Sequence, residues 1–511
     1  MKLGRTELSI RQSRRLVLKR SGQGVRASIR KIIPIILVGI GLFSFLCLKA
    51  QAQPKFDFSG MVKLFLSVYS TDRYYWAFDS PHEKGDFATK RLESRFSLKA
   101  SLSESVSAGV RLDVFSSPEA FFGLRDFPEG GELASPGRAE PFELSLFEAY
   151  IKVNHFLLKN LDLTVGKQRI QWGTADKLNV IDNLNPVDLA NFLTFDPDYY
   201  LERRPQTAFN LEYYPFKDSK LQLVWLVNRQ YSPLPSGFSE MLVMNLPPIP
   251  SISLTVYKEK PNLKRTNLGA RFSTVLKNVD LGVSYYSGNY SLPYVDQVAF
   301  SYPGTGSTSV NFTYPRKKVI GLDLSSEFKS IGWWAEMALV LPEKLTAVYD
   351  GFIYSSGVYL PVYFRFPLME KKYWQWVAGL DYTFSLFDGL YLNVQYLRGF
   401  FDEAKFSQEA RNYLGLRRGI WFGDLGHYLA GRAELRLLRG DLKLSLNSVL
   451  NFRSGDEANG SAIFYPAVEF KLKDALSFRG GAILGTGEED LSKFGRFRRD
   501  QIIYLSTKVS F

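Results

Sequence analysis

Apolar residues recur at every second position through segment after segment of this chain, and that period of two constrains its fold more than any other feature. Phe56, Phe58, Gly60, Val62, Leu64, Leu66 and Val68 fall on one face, with Asp57, Ser59, Lys63 and Ser67 on the other. Successive side chains of an extended chain point to opposite sides, so each run reads as a strand with one oily and one wet face. Leu92 to Leu102 and Ala108 to Val114 repeat the pattern across the short turn Glu104-Ser105, which gathers Glu93, Arg95, Lys99, Arg111 and Asp113 on the polar side. Phe147, Ala149, Ile151 and Val153 alternate with Glu148, Tyr150, Lys152 and Asn154, and the last nine residues alternate backwards from Phe511 through Val509, Thr507, Leu505 and Ile503.

The links between these segments alternate in length. Short ones stand at 103–105, 159–160, 217–219, 277–278, 329–330, 387–389, 439–441 and 473–474, and the long ones between them are rich in Pro, Gly, Asn and Asp. Short turns at one end and long loops at the other are the signature of a transmembrane antiparallel β-barrel. The segments predict roughly eighteen strands, with no N-terminal plug domain. Closure is compulsory, because hydrocarbon holds no water to satisfy an open edge, so the strand near Phe56 must pair with the strand near Phe511. A barrel of this size has a lumen that wall side chains alone do not fill, so loops are expected to set the bore. A soluble sandwich is the alternative, but it requires neither the long-short rhythm nor Trp374 and Trp376 facing outward near a strand end.

The termini agree with this reading. Ten basic residues and one acid precede Ile32; an apolar run to Leu48 and then Ala50-Gln51-Ala52 follow, which is the n-region, h-region and small-x-small exit of a secretory signal peptide. Residues 1–52 are therefore expected to be removed on export through the Sec pathway, leaving 53–511 as the barrel. A membrane anchor is the alternative for the apolar run, and Arg14-Arg15 resembles a twin-arginine signal, which conflicts with a barrel that must cross unfolded. At the other end, a strand stopping on Phe511 resembles the terminal signature that outer-membrane barrels present to their assembly machinery, which implies that machinery, the bilayer and lipopolysaccharide as partners.

The leader holds eleven of the 64 basic residues and one of the 51 acidic, which leaves 53 against 50, a net of +3. The chain's basicity is mostly leader, so no nucleic-acid reading survives. Cys47, the only cysteine, leaves with it, which excludes disulfides, thiolate metal sites and cysteine nucleophiles from the processed chain. His82, His155 and His427 are the only histidines, and no phosphate loop, metal-ligand spacing or haem-attachment motif occurs, so neither an enzyme nor a cofactor is expected.

One segment breaks the alternation. In Leu161 to Gly173, strict alternation sends Lys167 and Arg169 into lipid, at about 2–4 kcal/mol each near midplane. A bulge at Gly166 is expected instead, turning Lys167, Arg169 and Gln171 inward and leaving Ile170 and Trp172 outside. The following segment, Thr174 to Pro205, is polar and irregular. Gly166-Lys167-Gln168 through Trp172-Gly173, followed by Asn185-Pro186-Val187-Asp188, resembles the signature G-[RK]-Q-x-x-x-W-G…N-P-x-D of a family of porin-like Gram-negative outer-membrane proteins. The resemblance spans about 25 residues of local motif and implies a pore or transporter without naming its cargo. Gly166, Trp172, Gly173, Asn185 and Pro186 then either hold the loop as a structural turn or touch substrate. The loop is expected to fold into the lumen and form a constriction of opposed charge, Lys167, Arg169, Arg203 and Arg204 facing Asp188, Asp196 and Asp198, with Gln171 and the wall residues Arg95, Arg111, Glu148 and Lys152 nearby.

A second loop, 230–263, is expected to fold inward too. Its run from Met241 to Pro250, continued by Ile252, Leu254 and Val256, is too apolar to stand in water, so it plugs the lumen, docks a partner, takes up hydrophobic molecules or packs against the barrel's own wall. The function expected is passive or facilitated diffusion of small solutes across the outer membrane, with a conduit for lipid-like molecules or a non-transporting structural barrel as alternatives.

Overall fold

The computed structural model describes residues 54–72, 82–116, 142–189, 202–233, 251–257, 265–300, 307–355, 358–414, 421–452, 460–488 and 492–511. The expected signal peptide, Asp196, Asp198 and the apolar run 241–250 lie outside the described residues. The chain divides into two compact units, Met1–Asp57 with Ala100–Ala108, and Phe58–Lys99 with Gly109–Phe511. Within the first, the turn after Leu102 is closed by the Val106 carbonyl, which accepts the Leu102 N–H at 2.8 Å.

The second unit holds the barrel. Eighteen strands form one sheet, and every ladder of described register in it is antiparallel. The alternating segments named above, 56–68, 92–102, 108–114, 147–153 and the last nine residues, each fall on one of them. Neighbours in the chain are neighbours in the sheet except where strands of the long connections intervene, so Ser219–Asn228 pairs with Asn267–Leu276, Val279–Asn289 with Arg316–Phe328, and Ile331–Pro342 with Tyr373–Phe384. Lys55–Tyr69 closes the ring against Ile502–Ser510, in register from Met61↔Ser510 to Tyr69↔Ile502. Beyond that ladder Gly60 and Phe511 exchange two backbone hydrogen bonds of 2.7 and 3.0 Å, and the Phe511 ring lies 5.8 Å from that of Phe58. A Cβ on Gly60 would stand 2.7 Å from the Phe511 ring, so the closing seam needs glycine there.

The two faces follow the alternation. Leu64, Phe209, Leu223, Phe272, Leu380 and Leu505 are exposed on the outside, while Lys63, Glu93, Asp113, Asp323 and Glu336 are buried on the inside. Phe147 corrects the sequence reading: it is buried on the lumen side, 3.9 Å beneath the Arg111 guanidinium, rather than against lipid. Tyr150, whose partner Gly166 also faces inward, shares its side, so the alternation slips by one between them. Among the described residues no separate domain occupies the lumen.

The long connections build something the sequence reading lacks, a second sheet of five strands in the order Val358–Pro367, Thr346–Ser355, Tyr294–Phe300, Ser307–Thr313 and Ser251–Tyr257. Two of its pairings are parallel. The described part of the loop 230–263 therefore ends in an edge strand, with Val256 fully buried. Val256, Val298, Val310 and Phe312 of this sheet join one core with Ile170, Trp172, Ile181 and Leu184.

Candidate functional site

The site begins where the strand Leu161–Gln168 leaves the wall. No bulge turns it. Its register is unbroken against both neighbours, Ala149↔Lys167 on one side and Lys167↔Thr207 on the other, although Gly166 sits at φ 126° with the Ala149 carbonyl where a Cβ would go. Lys167 thus stays on the outer face, and its Nζ donates to the Leu146 carbonyl at 2.7 Å. The wall does not bend the next residues outward either. Ile170 and Trp172 turn inside, Trp172 fully buried and donating from Nε1 to the wall residue Gln222 at 2.8 Å. Arg169 and Gln171 are exposed, Arg169 close enough to act on the charge of Asp182.

From Gly173 onward the chain crosses the lumen. Gly173 adopts φ 91°, and a Cβ there would meet the Glu336 carboxylate, so glycine permits both the turn and the close approach. Glu336, on the strand Ile331–Pro342, collects the loop: its Oε1 accepts from the Thr174 N–H (2.6 Å), the Ala175 N–H (2.8 Å) and Asn179 Nδ2 (3.1 Å), and its Oε2 from the Val180 N–H (3.0 Å). The tip reaches further round the wall. The Asp176 carbonyl accepts from Gln395 Nε2 at 3.2 Å, and its carboxylate stands 3.6 Å from Arg432.

The return limb is tied to the entry limb. Asn185 exchanges hydrogen bonds with the Ile170 backbone and also donates to Asp182. Arg203 donates to the Asp182, Asn185 and Asn179 carbonyls at 2.8, 3.1 and 3.1 Å, and Arg204 pairs with the buried Asp188 at 2.6 Å. The Pro186 carbonyl accepts the Arg204 N–H at 2.9 Å. Glu202 then reaches the wall, 3.5 Å from Arg95 and 3.4 Å from Arg111, both of which also hold Asp113. Burial raises the carboxyls of Asp182 and Glu202, against the pull of Arg203 on the first and of Arg95 and Arg111 on the second.

The remaining wall charges pair across strands, as Arg271 with Asp323 (2.6 Å), Lys220 with Glu212 (3.0 Å) and Lys443 and Arg479 with Glu469 (2.9 and 2.7 Å). Lys152 pairs with Asp162 at 3.5 Å near the short turn, and Glu148 lies half-buried beside Tyr150, so neither joins the loop.

Two spaces flank the crossing loop. One, about 1100 Å³, lies between the tip and the wall of the C-terminal strands, with Arg432, Glu434, Lys443 and Arg479 at its edge. The other, about 780 Å³, lies toward the long loops beside Tyr290, Lys317, Tyr373 and Glu403. They share Lys177 and Leu178. Lys177, exposed and held at φ 60°, therefore stands between them. The sequence reading missed Asp176, Lys177 and Glu336. Alternation does place Glu336 on the inner face, but nothing local joins it to a loop 162 residues away.

No protein-family model matches the chain, and no curated protein matches it. Among solved structures it is similar to Acinetobacter baumannii OccAB3, at 8% identity and a TM-score of 0.47 over 89% of this chain and 99% of that one. Pseudomonas aeruginosa OccK8 (OprE) gives 9% and 0.46 over 89% and 98%, and P. aeruginosa OccK9 (OpdG) 11% and 0.46 over 89% and 98%.

Proposed function

We propose that the chain is a porin-type channel of the Gram-negative outer membrane, passing small solutes down their gradient without chemistry. The observation that carries this reading is the loop 169–189, pinned to the wall at Glu336, Gln395 and Arg432 so that it narrows the lumen and leaves polar space beside it. A constriction of opposed charge is the simplest filter a wide barrel can carry. Its members are Asp176, Lys177 and Arg432 at the tip, backed by Arg203, Arg204 and Asp188, with Arg95 and Arg111 fixing the return limb through Glu202. The lumen's ionic groups are largely engaged with one another, which suits a conduit better than a catalyst. The apolar outer belt fits a bilayer with lipopolysaccharide in its outer leaflet, and the last strand, ending on Phe511, fits engagement by the barrel-assembly machinery. Planar-bilayer recording of the purified barrel tests the reading. Steady ohmic conductance is expected, with a reversal potential in a salt gradient that moves when Asp176, Lys177 or Arg432 is replaced. A barrel that inserts without conducting refutes it.

A further inference from the structure

Among the described ladders of the wall, the one between the strands Ser461–Lys473 and Leu476–Thr486 is interrupted in its middle. Their ladder runs from Ala462↔Thr486 to Phe464↔Leu484 and resumes only at Ala467↔Gly481, so no β-pair forms between Tyr465-Pro466 and Ala482-Ile483. The cause is Pro466, which has no N–H to give; proline is otherwise kept to edges and bulges. The ladders on either side of the two strands run without a gap.

The side chains at this place are small. Gly480 and Ala482 face outward with Pro466, and a Cβ on Gly480 would find its nearest atom, Leu505 Cδ1, at 3.9 Å. They floor an apolar groove of about 940 Å³ on the outer surface, rimmed by Leu444, Leu446 and Val468. Directly behind it is the 1100 Å³ lumenal space, and the two concavities share Ser445 and Ala467. On the inner side Tyr504 lies against Gly481, and Lys443 and Arg479 both pair with the Glu469 carboxylate.

We infer that this seam is a lateral passage between lumen and bilayer for a single-chain anionic amphiphile. The tail occupies the outer groove, which takes one chain between its leucine rims, and the head meets Lys443 and Arg479 as the strands part at Pro466. This rests on the channel reading and adds a second route to it, through the wall instead of along the axis.

The test uses the barrel in phosphatidylcholine vesicles with palmitate carrying a mid-chain diazirine, and mass spectrometry to map the photolabel. Labelling of lumenal Tyr465 and Tyr504 as well as outward Val468 is expected. In Pro466→Cys/Ala482→Cys, oxidation should abolish the lumenal label, keep that on Val468, and be reversed by reductant. Pro466→Val, which restores the N–H, should reduce the lumenal label without a cross-link. A phosphatidylcholine with the same diazirine should label Val468 alone. Labelling confined to the outer face in the unmodified barrel, lumenal labelling indifferent to the cross-link, or lumenal labelling by the two-chain lipid would each overturn the passage. Ion conductance in the same vesicles should survive oxidation; its absence from the unmodified barrel would count against the channel reading instead.

Discussion

Replacing Glu336 by Gln isolates what holds the crossing loop. The carboxylate takes four donors, three on Oε1 and one on Oε2, and none of the four has to move for the substitution. A glutamine has one acceptor oxygen. With that oxygen in the Oε1 position, its NH₂ faces the Val180 N–H, so one bond to a charged acceptor becomes a donor-donor contact and the other three become neutral. Bonds to charged groups contribute about 1.5–3 kcal/mol each, so the loss is at least ~2 kcal/mol. At 1.4 kcal/mol per decade this favours the detached loop by roughly 30-fold. The opposite orientation sacrifices three bonds and costs more. Hydrogen exchange of the Thr174, Ala175 and Val180 amides measures this directly: about 30-fold faster exchange is expected at those amides, with the barrel ladders unchanged. Exchange that stays within a factor of about three, or that rises equally throughout the wall, would refute the clamp.

Lys177→Glu should move the reversal potential toward cation preference, and Arg432→Ala should do the same by leaving Asp176 without its counter-ion; both are read in a salt gradient. Asp182 and Glu202, raised by burial, should bind protons at a pH above that of exposed carboxylates. The folded state then holds more protons than the unfolded one in that window. The stability these two groups contribute is therefore full below the ordinary carboxylate pKa and lost as pH rises through the raised values, while selectivity turns toward anions on acidification. A titration of both quantities tests the sign. Lys493→Met should cost about 3–5 kcal/mol locally, because the fully buried ammonium sits 2.8 Å from both Asp402 and Glu403, which would be left as uncompensated buried charge; faster protease cleavage in the long loops is the readout. Gly60→Val should lower the yield of heat-modifiable, closed barrel on refolding, since the Phe511 ring occupies the space the side chain needs.

How far the sequence could be read depended on whether a residue lies in the wall. Within it, the period of two pointed to roughly eighteen strands, of which the sheet has eighteen, and to an inward set that includes Glu93, Arg95 and Asp113, because pairing forces side chains to alternate. The expected bulge at Gly166 failed for a physical reason: the cost assigned to an outward Lys167 holds at midplane, whereas Lys167 is one residue from the long-loop end of its strand, where an outward cation costs about 0–1 kcal/mol. Ile170 and Trp172 were misplaced because alternation carries no information once the chain has left the sheet at Gln168. The five-stranded sheet was invisible for a related reason: its strands sit inside long connections, and two of its pairings are parallel, so only Thr346–Ser355 and Val358–Pro367 follow one another across a short link.

The motif residues divide the labour of the crossing loop in a way that bears on where selectivity resides. Trp172 and Gly173 fix its departure, through Gln222 and the approach to Glu336, and Asn185 and Pro186 fix its return, through the Ile170 backbone and the Arg204 N–H. Each of these contacts is to backbone or to a wall side chain. Residues spent on these four contacts do not face a passing solute, so discrimination falls to the tip between them, where Asp176 sits beside Arg432 and Lys177 is exposed. Gln222→Leu sharpens the distinction. It removes the partner of a fully buried indole N–H, at about 1–3 kcal/mol, and should loosen the loop's entry, seen as current noise, without changing the mean ion preference. Lys177→Glu should change the preference itself. If Gln222→Leu shifts the reversal potential as far as Lys177→Glu does, anchoring and selection are not separate, and the tip loses its special role.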